Sequence, residues 1–419
     1  MSYIATQRPK ADSRVPKAFL LQPDHPMARS TDPSSGPITR FTPTSWLNRI
    51  PNMATVSRSR NSNFEIDPAV GKSWTLPADV YLDPALLERE KQVLFSKTWQ
   101  IVGRRDQVAN PGDYFTAELT GEPLLIVRGS DGVLRGFYNV CRHRAGPPAE
   151  GCGSRKVFRC GYHGWTYSLD GRLLNAPEMD GTTNFDHSQF GLQPVPIGEW
   201  GAWVFVNLDA RAGALVSGLR ELPEQAAKYR LEKLKLAERR EYVMECNWKV
   251  YIDNYLEGYH LPSVHPSLNR ELDYGQYVTE TFAFHSRQAS PIRGPENEKD
   301  VQRRYSQASG GDEAEYFWIF PNWMLNCYPD NVSLNIVLPL ATERCVAVFE
   351  WYFPESVVKT EAPTQTIRFS DEIQIEDGRI CEVVHRNLKS RSYTRGRFSA
   401  KQEKGVHQFH RLYANWLES

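Results

Sequence analysis

The spacing of apolar positions divides the chain into stretches of different character. Residues 1–60, among them MSYIATQRPKADSRVP and ARSTDPSSGPITRFTPTS, show neither helical nor strand periodicity. They are rich in Pro, Ser, Arg and Thr and bury too little apolar surface to offset the entropy of ordering, so a disordered N-terminal extension is expected there. DPALLEREKQVLFSKT over 83–98 reads as a helix, with Asp83 at the N-cap and Pro84 at the first helical position. From Trp99 the pattern shortens to β segments: WQIVGR, DYFTAEL, EPLLIVRG, VLRGFYNV, KVFRC, WTYSLDG and AWVFVNL. Turns such as Ser130-Asp131-Gly132 and Asp170-Gly171 separate them, which predicts a small all-β domain over 99–210. Residues 211–419 read as mixed: a helical stretch near 220–236, strands at LNIVLPL and CVAVFEWYF, and a long helix over TQTIRFSDEIQIEDGRICEVVHRNLKS. The fold class expected is α+β: a small all-β domain beside a larger α/β domain whose antiparallel sheet is flanked by helices.

Composition narrows the function. The chain of 419 residues balances 50 Lys+Arg against 50 Asp+Glu, without the basic excess of a nucleic-acid binder. No run approaches the ~18 apolar residues that span a bilayer. The seven cysteines are odd in number and scattered, which reads as a reducing compartment rather than a disulfide framework. A cytoplasmic location is therefore expected. The acid-poor extension leaves organellar import open, and Met53 is an alternative start.

Two segments carry chemistry. CRHRAGPPAEGCGSRKVFRCGYHGW offers Cys141-x-His143, a gap of 16 residues, then Cys160-x-x-His163. Two cysteines and two histidines can hold a [2Fe–2S] cluster in which imidazoles replace thiolates on one iron and raise its potential. Gly161 and Gly164 would let the loop backbone approach the cluster closely. A structural zinc site is the rival, though zinc fingers usually pair Cys with Cys and His with His. Cys152, between the pairs, is read as a non-ligand.

NWKVYIDNYLEGYHLPSVHPSL places Asp253, Glu257 and His260 at helical spacing, on one expected helix face, with His265 beyond a Pro262 expected to end or kink that helix. Two close histidines and a distant carboxylate form the 2-His-1-carboxylate set of O2-activating Fe(II) enzymes. The third ligand must lie elsewhere in the chain. Asp377 in QIEDGRICE is the candidate, with Glu376 as the near alternative. The bland reading is an ordinary polar surface helix.

Both constellations, in this order and about 100 residues apart, resemble the α subunits of Rieske ring-hydroxylating and N-methyl oxygenases. The resemblance covers roughly residues 75–419, including CGYHGWTYSLDGRL, FPNWMLNCYPDNVSLNIVLPL and EDGRICEVVHRNLKSRSYTRGRFS. The branch it looks most like is the choline monooxygenase-like one, which acts on quaternary ammonium compounds. It implies residues 61–98 as the N-terminal part of a catalytic domain completed by 211–419, and 99–210 as a Rieske domain. It implies Cys141, His143, Cys160 and His163 as cluster ligands and His260, His265 and Asp377 as ligands of a mononuclear Fe(II). Glu257 would be the carboxylate that links an iron-bound histidine to a cluster histidine, His163 of the partner subunit. A cyclic homo-oligomer, most simply a trimer, follows from that link. Electrons would come from NAD(P)H through a separate reductase or ferredoxin, because the chain lacks a dinucleotide fingerprint.

Two departures stand out. Choline monooxygenases usually have Asp-Gly-Gly-Tyr-His, whereas Glu257-Gly258-Tyr259-His260 lacks one Gly and carries a longer acid, as in the carnitine-type branch. Gly161 replaces the usual Pro of the cluster loop. A quaternary ammonium head wants aromatic faces. Tyr316, Phe317, Trp318, Phe320, Trp323, Tyr328, Trp351 and Tyr352 are candidates, with core packing the bland reading for each. An aromatic-ring dioxygenase is the alternative within enzymes, and a Rieske electron carrier without oxygenase activity is the alternative outside them.

Overall fold

The computed structural model describes residues 65–293 and 313–418. The extension expected over 1–60 lies outside the described residues. The first predicted helix forms as Pro84–Glu90, where the Asp83 carboxylate accepts the Ala85 N–H and Pro84 starts the helix. A π-helical turn, Lys91–Phe95, continues it and buries Val93, Leu94 and Phe95.

The all-β part is three small antiparallel sheets. The largest orders its strands Cys152–Ser154, Asp113–Leu119, Glu122–Arg128, Leu134–Tyr138 and Pro194–Val195. EPLLIVRG is apolar at successive positions because its strand is covered on both faces. Leu125 and Val127 pack with Tyr114, Cys141, Cys160, Trp165 and Tyr167, while Leu124 and Ile126 pack with Phe115, Val204 and Val206. One face of a central strand thus supports the two cysteine loops.

The larger part is a seven-stranded antiparallel sheet. The strands between Val278 and Phe353 pair in sequence order, and Lys235–Met244 joins beside the last of them, Arg344–Phe353. LNIVLPL is apolar at every position but Asn335 for the same two-sided reason. Leu334, Ile336 and Leu338 share a core with Trp203 and Phe205 of the β part. Val337, Met324, Phe349 and Trp351 face the helices Trp248–Tyr255, Ala362–Leu388 and Lys404–Glu418. The α+β expectation is met, as is the long helix.

The helical stretch expected at 220–236 is not one helix. It breaks into Leu222–Gln225, two 3₁₀ turns at Ala227–Tyr229 and Leu231–Lys233, and then a strand from Lys235. Arg230 sits in the left-handed region at φ 48°, which no helix interior accommodates.

Candidate functional site: two metal-binding constellations

Cys141 and Cys160 open two loops that close in the same way. In each, the Cys N–H donates to the carbonyl five residues on, that of Gly146 or Trp165 (both 2.9 Å). The Cys carbonyl accepts from the N–H four residues on, that of Ala145 or Gly164 (both 3.0 Å). That fourth residue is left-handed in both loops, Ala145 at φ 58° and Gly164 at φ 76°. The loops bury the two cysteines and expose His143 and His163, whose ring centroids lie 4.5 Å apart. Trp165 stacks on His143 at 4.9 Å and fixes its plane. Tyr167 contacts Cys141 Sγ at 3.1 Å and its oxygen accepts the Arg142 N–H at 2.9 Å.

Gly164 has the positive φ, but a Cβ on Gly161 would meet nothing within 4 Å. Gly146, not singled out in the sequence, is the close approach: its Cβ would lie 3.0 Å from Cys160 Sγ. Burial raises the Cys160 pKa most, the Tyr162 and His163 amides oppose it, and neighbouring Cys141 adds to the rise. Two buried thiols and two convergent imidazoles fit a [2Fe–2S] cluster with mixed ligation. Cys152 lies exposed on a strand that pairs with Asp113–Phe115, outside both loops.

The second constellation departs from the single helix face expected for Asp253, Glu257 and His260. The helix ends at Tyr255, capped by Leu256. Gly258 runs so close to Tyr277 that a Cβ would lie 2.7 Å from its ring, and the chain turns there. Asp253, left on the helix, bonds Tyr81 (2.6 Å) and His410 (2.9 Å) instead. Pro262 begins the short helix Leu261–Val264 rather than ending one, and His265 precedes Pro266, which starts the next.

These turns bring both histidines against the helix Ala362–Leu388. The ligand atoms of His260, His265 and Asp377 all lie within 4.8 Å of one another. His265 Nε2 stands 2.9 Å and His260 Nε2 3.7 Å from Asp377 Oδ1. Each Nδ1 is held by another carboxylate, His260 by Glu257 and His265 by Glu376, both at 2.7 Å. With Nδ1–H donated to a carboxylate, each Nε2 lone pair is free for a metal. The donor set fits Fe(II) with open positions. Glu376, the alternative third ligand, instead orients His265. Asn254, missed in the sequence, donates to Asp377 Oδ1 at 2.6 Å and fixes its rotamer. Its only sequence signal is its place one residue after Asp253 in the same segment.

Two outcomes follow. Glu376→Ala should weaken metal binding at this centre roughly 10- to 100-fold. A chelator competition titration reads this, with the cluster's visible absorption unchanged. Burial opposes the charge on His265, but Asp377 and then Glu376 outweigh it and raise its pKa. A protonated imidazole cannot ligate, so the site must shed that proton to bind metal. Affinity for Co(II) should fall with decreasing pH, beginning above the ordinary imidazole value of about 6.5. A flat affinity across that range would contradict it.

Beside the three ligand groups opens a cavity of about 810 Å³, its mouth included. Its wall holds Tyr255, Tyr277, Tyr316, Tyr328, Phe349 and Trp351 with neutral amides and hydroxyls. Of the eight aromatic candidates, only Tyr316, Tyr328 and Trp351 reach it. Phe317, Trp323 and Tyr352 are core on the opposite sheet face, and Trp318 and Phe320 are core beneath the helices.

Fold and sites together define an enzyme that holds an electron-carrying centre in one part and an oxygen-reacting centre in the other. The Rieske [2Fe-2S] domain family matches residues 98–186, and the ring hydroxylating alpha subunit (catalytic domain) family matches residues 231–419. The chain is 36% identical over 365 residues to the chloroplastic choline monooxygenase of Arabidopsis thaliana, covering 83% of this chain and 84% of that protein. It is 33% identical over 368 residues to the carnitine monooxygenase oxygenase subunit of Escherichia coli K12, covering 84% and 96%. The solved structure of the quaternary ammonium Rieske monooxygenase CntA with L-carnitine matches with a TM-score of 0.72 at 29% identity, covering 84% of this chain and 99% of that one. Naphthalene 1,2-dioxygenase from Rhodococcus sp., at a TM-score of 0.67 and 19% identity, shares the fold.

The chain belongs to the Rieske-type non-haem iron oxygenases. Its cofactors are a [2Fe–2S] cluster and a mononuclear iron, which sets aside the electron carrier without oxygenase activity. No helix among the described residues is long and apolar enough to cross a membrane.

Proposed function

We propose that this chain is the oxygenase component of a monooxygenase for a small quaternary ammonium compound. It would hydroxylate a methyl or methylene of that compound. Choline would give the hydrate of betaine aldehyde; hydroxylation of an N-methyl group would release formaldehyde. The overall reaction consumes O2, two electrons and two protons, and yields the alcohol and water. The observation that carries this reading is the cavity. Aromatic faces line it, Glu257 and Asp377 stand at its iron end, and no Lys or Arg is among its described lining residues. A cation finds ring faces there. The names of the similar proteins, which act on choline and carnitine, support the same class.

We assign Cys141, His143, Cys160 and His163 to the cluster and His260, His265 and Asp377 to the mononuclear iron. When bound, the metals supply electron storage and O2 activation. The chain's own residues orient the imidazoles, exclude water from the aromatic end, and place a carboxylate behind His260. Glu257 engages His260 twice, through Nδ1 at 2.7 Å and the backbone N–H at 3.0 Å. Its Oε2 keeps a second lone pair for His163 of the partner subunit. Tyr162 within the second cysteine loop and Tyr259 beside His260 are 60% and 56% exposed, the kind of aromatic surface a neighbouring subunit covers. These surfaces support a cyclic homo-oligomer, most simply a trimer, fed by a separate NAD(P)H-dependent reductase or ferredoxin.

The test is a substrate panel of choline, glycine betaine, carnitine and benzoate with a surrogate reductase. Turnover of at least one quaternary amine is expected, and turnover of benzoate alone would reject the reading in favour of an aromatic-ring dioxygenase.

A further inference from the structure

The sheet face beneath the cavity carries a polar stripe inside an otherwise apolar strand. On Asn331–Ala341, strand alternation turns Asn331, Ser333 and Asn335 toward the cavity while Leu334 and Ile336 enter the opposite core. Most amides of the wall are engaged. Asn326 accepts from Tyr255 (2.7 Å), Gln288 accepts from Tyr277 (3.1 Å), and Asn254 donates to Asp377 (2.6 Å). Asn335 differs. It is 1% exposed, and both its Oδ1 and its Nδ2 lack a hydrogen-bond partner among the described residues. It pairs across the sheet with Phe349, next to Trp351 on the same strand.

A buried amide with neither atom paired leaves a donor and an acceptor unsatisfied, side by side. A hydroxyl satisfies both at once: its proton goes to Oδ1 and its lone pair receives Nδ2–H. A carboxylate can accept from Nδ2 but offers no proton to Oδ1.

We propose that Asn335 is a specificity-determining residue that reads a hydroxyl on the substrate, so that the site prefers a quaternary ammonium compound with a hydroxyl to one without. This rests on the quaternary ammonium reading above. The cationic head lies against the Phe349 and Trp351 side of the wall and the hydroxyl against the neighbouring amide.

Calorimetric titration of the oxidised holoenzyme, without reductant, measures binding apart from turnover. The probes are choline, ethyltrimethylammonium, which lacks only the hydroxyl, and glycine betaine. Wild-type protein should bind choline roughly tenfold to a hundredfold tighter than ethyltrimethylammonium, and tighter than betaine. Asn335→Leu should lose that advantage for choline and leave ethyltrimethylammonium binding unchanged or improved. In turnover the loss should fall on KM more than on kcat. The wild-type comparison stands without the variant, should Asn335→Leu fail to fold. Equal binding of choline and ethyltrimethylammonium, or tighter binding of betaine than choline, overturns this inference alone. Binding of no quaternary amine overturns the substrate reading and this inference with it.

Discussion

Asp377→Ala should leave a protein with an intact cluster and an empty second centre. Asp377 Oδ1 is the atom on which both Nε2 atoms converge, at 2.9 and 3.7 Å. Without it two neutral imidazoles face the metal, a set that holds Fe(II) poorly in water. Bound metal contributes several kcal/mol to such reactions, so turnover should fall by roughly 10³-fold or more. Iron analysis should show the loss of one iron per chain, with acid-labile sulfide and the cluster's absorption unchanged. Asn254 and His265 would lose a partner but stay in place, because His265 keeps its bond to Glu376. Iron content equal to wild type would move the ligand role away from Asp377.

Glu257→Ala should give the second large effect, by a different route. Removing an orienting carboxylate ordinarily costs about 10- to 100-fold. Glu257 holds His260 at two points, and in our proposal it is also the contact between subunits. The loss in steady-state turnover should therefore exceed that range while both metal centres remain loaded. Chemically reducing the cluster and following its reoxidation with substrate and O2 separates the roles. A slowed reoxidation at full iron occupancy supports the link between centres. A loss of iron that accounts for the whole effect would reduce Glu257 to a positioning residue of His260. Glu257→Gln should keep more of the orientation, because an amide oxygen still accepts the Nδ1–H.

Much of this was legible in the sequence because the chemistry demands particular residue types. Mixed Cys–His pairs at short spacing announce their purpose, and strands such as EPLLIVRG announce two-sided burial. The local route of the second site was not legible. Helical spacing of Asp253, Glu257 and His260 suggested one face, but Gly258 must pass close to Tyr277 and the helix stops before it. The choice between Glu376 and Asp377 depended on the rotation of a long helix about its axis. Packing sets that rotation, and it directs the adjacent acids to Nδ1 and Nε2 of one imidazole. Asn335 was hidden for another reason: within NIVLPL it reads as one polar residue in a strand, and only the unpaired amide in the wall marks it.

In our proposal the two iron centres work as a pair across a subunit boundary. The most direct measurement mixes two inactive proteins. Cys160→Ala removes the cluster, and Asp377→Ala removes the mononuclear iron. Co-expressed with different tags and purified through both, they form oligomers in which an intact cluster in one subunit neighbours an intact iron site in the next. These mixed oligomers should recover oxygenation, although each variant alone is inactive. Mixed oligomers that contain both centres by metal analysis and still fail to turn over would contradict that pairing.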